Sequence, residues 1–166
     1  AYVAYHKPAI GYPDQYVADI LQELLAGGES SHLYNKMVVE EGIAERVNAW
    51  GGPDKYPGLF IFALFPHSSH TVSNLIRSLD EEFEILAETP VGDSELRDAK
   101  KRLRSSFLRI LDSNEKSAAE IAKYEGMDDW RYINTLVEKR EAVTASDIQK
   151  FVKTYLVPSN RTIAEL

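Results

Sequence analysis

The chain has 166 residues, 44% of them hydrophobic and 27% charged, which suits one domain burying roughly two thirds of its unfolded surface without a disulfide or metal staple. It contains no cysteine, which excludes thiol nucleophiles, thiolate metal sites and disulfides, and its net charge of −7 argues against duplex nucleic acid, which requires a concentrated basic surface. No apolar run approaches the roughly 20 residues that span a bilayer, and no signal peptide opens the chain, whose first residues, AYVAYHKP, read as a strand already under way in an excised or processed piece.

In chain order, Tyr2 to His6 is a strand ended by Pro8 and Gly11. Asp14 opens a helix whose stripe is Val17, Ile20, Leu21, Leu24 and Leu25, stopped by Gly27 and Gly28. Ser30 is the expected N-cap of a second helix that buries Leu33, Tyr34, Met37 and Val38 and ends at Gly42. Ile43 to Trp50 reads as a strand. After the turn-rich GGPDKYPG comes another, Leu59 to Phe65, apolar at every position and so expected to be covered on both faces.

Helical spacing then holds across Val72, Leu75, Ile76, Leu79, Phe83 and Leu86, and again from Leu96 to Leu111. Arg97, Lys100, Lys101, Arg102, Arg104 and Arg109 fall opposite the apolar stripe of the latter and form its solvated side. Ser113 and Asn114 precede a helix containing Ala118, Ala119, Ile121 and Ala122, and a shorter helix runs from Tyr132 to Val137. Thr144 to Asp147 is a capping-box start for a helix with Ile148, Phe151, Val152, Tyr155 and Leu156 on one face. Pro158 and Asn160 stop it, and Arg161 to Leu166 is a last strand. This order predicts a single α+β domain, a two-layer sandwich of a mainly antiparallel sheet with helices on one face, whose other face must meet something else.

Chemistry is sparse. His67 and His70 are the close histidine pair; two imidazoles at this spacing can bind zinc from one helical turn, but Pro66, Ser68 and Ser69 make the segment a polar turn, with Ser68 or Ser69 capping the next helix. His6 and His32 stand alone and read as surface or capping residues. Neither H-x-x-E-H nor a G-x-S-x-G elbow nor a phosphate loop is present.

Several motifs in order carry a resemblance. They are Gly27-Gly28 with Ser30-Ser31 and Leu33-Tyr34; Glu41-Gly42-Ile43-Ala44; Gly58-Leu59-Phe60; and Pro90-Val91 leading to Glu95-Leu96 and Ala99-Lys100. Val143-Thr144 with Asp147-Ile148, and Tyr155-Leu156 with Pro158, Asn160 and Arg161, complete the set. Together they resemble the second, non-catalytic half of a pitrilysin/insulinase-like zinc metallopeptidase, in the branch of the mitochondrial processing peptidase and many bacterial zinc proteases. The resemblance implies two similar halves closing around a peptide chamber, with zinc in an N-terminal lobe absent from this chain and no catalytic or metal-binding residue here. The implied partners are that catalytic lobe, or a partner subunit, and a peptide substrate, in the periplasm or cytoplasm of a bacterium.

Sheets line the chamber in this family. Alternation along Ile43 to Trp50 puts Ile43, Glu45, Val47 and Ala49 on one side and Ala44, Arg46, Asn48 and Trp50 on the other, making Arg46, Asn48 and Trp50 the expected substrate-facing residues, although Glu45 interrupts the apolar set. Some relatives grip substrate with an arginine and a tyrosine from this half; Val38 and Glu45 stand at those positions here, so that grip does not transfer. Two rival readings are a metal-free structural or interaction subunit of the same family, and an autonomous peptide-binding module. The isolated lobe is expected to self-associate through its uncovered sheet face.

Overall fold

Strand alternation sets which residues avoid water. The computed structural model describes residues 1–165, in which β1 (Tyr2–Lys7) buries Val3, Tyr5 and Lys7 and exposes Tyr2 and His6. With β2 (Ala44–Trp50), β3 (Gly58–Pro66) and β4 (Arg161–Ala164) it forms a four-stranded antiparallel sheet in the order β2-β3-β1-β4. Tyr2 pairs with Ala164 and Tyr5 with Arg161, so the first and last strands lie side by side. Leu166, expected in the last strand, lies outside the described residues.

Six α-helices are described: α1 (Pro13–Ala26), α2 (Val72–Glu88), α3 (Asp93–Leu111), α4 (Asn114–Met127), α5 (Tyr132–Ala142) and α6 (Ala145–Tyr155). Proline at the first position of α1 and Asp14 in its first turn suit a helix N-terminus, where an N–H is spare and negative charge is favoured. The α2 stripe buries Leu75, Leu79, Phe83 and Leu86, each contributing about 1.5–3 kcal/mol of gross transfer energy. Its cap differs from expectation. Thr71, not Ser68 or Ser69, holds the N-terminus, and the Asn74 side-chain oxygen accepts from both the Thr71 N–H at 3.0 Å and its hydroxyl at 2.8 Å.

The segment after Gly28 also departs from a plain helix. Tyr34–Glu40 is π-helical, the Glu41 N–H reaching back five residues to the Lys36 carbonyl. Ser30 does not cap it; the neighbouring Ser31 hydroxyl turns back to the Gly28 carbonyl instead, at 2.6 Å. Leu33 and Met37 are fully buried, while Tyr34 and Val38 are half-buried. The small apolar residues of α4 do not form a buried face either: Ala118, Ala119 and Ala122 are exposed, and Tyr124 is that helix's buried residue.

The main core lies between the sheet and the helices. Val3, Tyr5, Val47, Ala49, Phe60, Phe62 and Leu64 meet α1, α2, α6 and the π-helical segment. Edge-on aromatic contacts link the layers: Tyr5 lies 5.8 Å from Phe83, and Phe60 lies 6.3 Å from Phe151. A smaller cluster around Phe107, Tyr124 and Leu136 joins α3, α4 and α5. The architecture is the expected α+β sandwich with helices on one sheet face.

Candidate functional site: the open face of the sheet

Side chains that alternate with the core residues occupy the opposite face. β3 supplies Leu59, Ile61, Ala63 and Phe65, and β1 supplies Tyr2, Ala4 and His6; the register pairs His6 with Leu59, Ala4 with Ile61 and Tyr2 with Ala63. β2 adds Arg46 opposite Phe65, Asn48 opposite Ala63 and Trp50 opposite Ile61. Leu59 is 42% exposed, Trp50 48% and Tyr2 41%, while Ile61 and Phe65 are half-buried. The expectation that β3 is covered on both faces is therefore corrected. The chain's helices cover one side, and on the other Tyr2, Trp50 and Leu59 are open to water and Ile61 and Phe65 partly so.

A bulge resolves the irregularity at Glu45. Ala44 pairs with Pro66 and Arg46 with Phe65, leaving Glu45 as the extra residue. The side-chain alternation resets there, so Ile43 and Ala44 are both buried and Glu45 is exposed, rather than Glu45 sharing a face with Val47 and Ala49. Downstream of the bulge the expected division holds: Val47 and Ala49 enter the core, and Arg46, Asn48 and Trp50 lie together on the open face. The Arg46 guanidinium sits 4.1 Å from the centre of the Phe65 ring, a cation–π contact.

A buried polar network holds the end of this surface. Gln15 in α1 donates to the Gly51 carbonyl at 2.9 Å, and Gln22 accepts from the Gly51 N–H at 2.8 Å, so the residue after Trp50 is fixed by two helix side chains. Lys7, wholly buried at its side chain, donates to Gln15 at 2.8 Å and pairs with Asp54 at 2.9 Å, tying down the loop between β2 and β3. Gln15 also donates to Asp19, whose other oxygen accepts two guanidinium N–H groups of Arg140 in α5, at 2.8 and 2.7 Å. The sequence reading missed these residues. Gln15 and Asp19 stand four residues apart on one face of α1, but nothing local points to Lys7 or Arg140.

Histidines and zinc donors are placed otherwise. His67 and His70 sit in the turn between β3 and α2 with ring centres 6.5 Å apart, and the His67 ring lies 3.3 Å from the Ser69 hydroxyl. Among the described residues no group of three or more histidine, aspartate, glutamate or cysteine side chains converges as a metal would require. His6 is on the surface as expected. His32 is not: it is half-buried, with Nδ1 2.5 Å from Glu82 in α2 and Nε2 against Glu95 in α3. Its hydrogen bond to Glu82 and the charges of both carboxylates outweigh burial and raise its pKa above the ordinary 6.5. No described helix is long and apolar enough to cross a membrane.

Comparison with known proteins gives one family. Residues 1–103 match the family described as the peptidase M16 inactive domain. No curated protein matches the sequence. The fold is similar to a protease from Helicobacter pylori, with a TM-score of 0.89 at 20% identity, covering 96% of this chain and 38% of that one. It is similar to a candidate zinc protease from Bordetella pertussis (TM-score 0.84, 26% identity, 97% of this chain and 89% of that one). The inactive peptidase domain of a candidate zinc protease from Bordetella parapertussis gives a TM-score of 0.83 at 25% identity, over 97% of this chain and 87% of that one. This chain thus spans well under half the length of the Helicobacter protease.

Proposed function

The chain belongs to the family of peptidase M16 inactive domains, and on that footing we propose that it is the substrate-enclosing lobe of a zinc metalloendopeptidase. The observation that carries the reading is the one-sided sheet: helices cover one face, and the other presents Trp50, Leu59, Ile61, Phe65 and Tyr2 to solvent. Contiguous apolar surface of this kind is seldom left exposed unless it meets a partner or a ligand.

The donor set of this chain does not fit a catalytic zinc, since H-x-x-E-H is missing and the one close histidine pair lies in a turn. No step of zinc chemistry is therefore assigned to it. Zinc in a separate catalytic lobe would supply the activated water. This chain would supply the facing wall, excluding water and holding an extended polypeptide by apolar contact. Val38 and Glu45, standing where some relatives carry an arginine and a tyrosine, leave that contact to the sheet surface itself.

The test is reconstitution with a family lobe that carries H-x-x-E-H. The chain alone should cleave no peptide, with or without added zinc, and adding it to the catalytic lobe should raise cleavage. Replacing Trp50 and Leu59 by serine should remove the gain without unfolding the chain. Chelator-sensitive cleavage by the pure chain would refute the reading, and an unchanged rate on mixing would favour a structural subunit.

A further inference from the structure

On the helical side of the molecule, α1, α3, α4, α5 and the turn after β2 enclose a cavity of about 240 Å³ that is partly open to solvent. Leu103, Phe107, Ile110, Leu136 and Tyr124 form its apolar wall, continuous with the smaller hydrophobic cluster. Gly52 and Pro53 close the end toward the turn, next to the Gly51 that Gln22 fixes.

The charged groups of the lining are already matched. Asp19 pairs with Arg140 at 2.7 Å and Glu120 with Lys123 at 3.1 Å, so the four charges cancel two by two. Several hydrogen-bond donors are not matched. Tyr124 is only 2% exposed, and its hydroxyl has no hydrogen-bond partner among the described residues, although it lies close enough to Asp19, Glu120 and Arg140 to feel their charges. Arg140 commits Nε and Nη2 to Asp19, which leaves the N–H groups of Nη1 available. A buried phenol without a partner is costly, and such groups are uncommon in native proteins unless something meets them.

These features select the chemistry of an occupant. A carboxylate would have to draw Arg140 away from Asp19, and an ammonium would have to draw Asp19 away from Arg140; breaking a buried pair costs more than either new contact returns. What remains is an apolar chamber with convergent donors, the usual make-up of a site for a neutral ligand with an acceptor atom. A cavity of about 150 Å³ holds benzene, so this one suits about ten non-hydrogen atoms. We propose that the cavity is a binding site for a small neutral aromatic molecule bearing one carbonyl, whose ring lies against Phe107 and Leu136 and whose oxygen accepts from Tyr124 and Arg140. The site lies apart from the open sheet face and does not depend on what that face holds.

The experiment titrates the 166-residue chain with para-fluoroacetophenone and follows the ligand by fluorine NMR. Para-fluoroethylbenzene, which lacks the acceptor, and para-fluorobenzoate, which carries a charge, are the comparisons. The ketone should bind saturably at about 1 mM, about fivefold tighter than the hydrocarbon, with the benzoate weakest. Tyr124→Phe removes a hydroxyl that holds nothing in the fold, and should abolish the advantage of the ketone while the hydrocarbon binds as before. Ser106→Phe places a ring in the mouth of the cavity from an exposed position and should remove binding of both; circular dichroism checks that each variant folds. An absence of saturable ketone binding, binding that survives Ser106→Phe, an advantage that survives Tyr124→Phe, or a benzoate that binds more tightly than the ketone would each overturn the proposal, and none of them would bear on the reading of the sheet face as a substrate wall.

Discussion

Both ring nitrogens of His32 face carboxylate oxygens, one on Glu82 and one on Glu95, and carboxylates only accept hydrogen bonds. The ring satisfies both as imidazolium, in line with its raised pKa. Because the folded value lies above the unfolded one, this clamp stabilises fully below about pH 6.5 and fades as pH rises through the raised value. His32→Gln should therefore cost about 2 kcal/mol near pH 6, roughly 4–8 °C in Tm, with the gap to wild type narrowing in alkaline buffer. Thermal melts across that range decide it, and a gap indifferent to pH would remove the clamp. Gly51 makes a steric prediction. A Cβ there would lie 2.0 Å from the Phe60 ring, while both its backbone groups are held by glutamines of α1. Gly51→Ala should destabilise by about 1–3 kcal/mol, seen as a lower urea midpoint with little change in slope.

Among the elements, α6 shows how a local signal becomes a packing contact. Thr144 and Asp147 satisfy one another's backbone N–H groups at its start, at 2.8 and 3.2 Å, and the helix then buries Ile148, Phe151 and Val152 on α2 and the sheet. Its last turn reaches α1, where the Tyr155 hydroxyl donates to Asp14 at 2.8 Å. Thr144→Ala removes the cap while keeping the apolar stripe, so it should cost about 1 kcal/mol, or roughly 2–4 °C in Tm, and leave the fold unchanged by circular dichroism. The π-helical segment is the contrary case. Its residues carry ordinary helix-compatible types, and the extra residue per turn is matched to the burial of Leu33 and Met37 and to the Lys36 contacts with Glu41 and Glu81, at 3.1 and 3.3 Å.

For the whole molecule, a two-layer fold with a bare apolar sheet face has the surface of a half-assembled object. In solution without a partner lobe it should self-associate reversibly, burying that face against a second copy. Light scattering should show a mass that rises with concentration, and Trp50→Ser with Leu59→Lys should return the chain to monomer. A monomer at every concentration, for wild type as for the double variant, would mean that the face does not drive association.

Periodicity in one dimension records which side of an element avoids water. Hence the stripes of α1, α2 and α6 and the antiparallel strands were legible in the residues, as was the lack of a zinc motif, whereas the all-apolar β3 read as a strand covered twice because a period does not tell a covered face from one left open. The division of Arg46, Asn48 and Trp50 from Val47 and Ala49 was legible for the same reason, but the bulge at Glu45 was not, since an inserted residue looks like any other until the partner strand is in place. Nor could local pattern find the partners of His32, 50 and 63 residues away, or join Asp19 to Arg140 across 121. Those pairings come into being when helices dock, because a buried charge must find an opposite charge wherever the packed layers bring one, at a sequence distance that no period encodes.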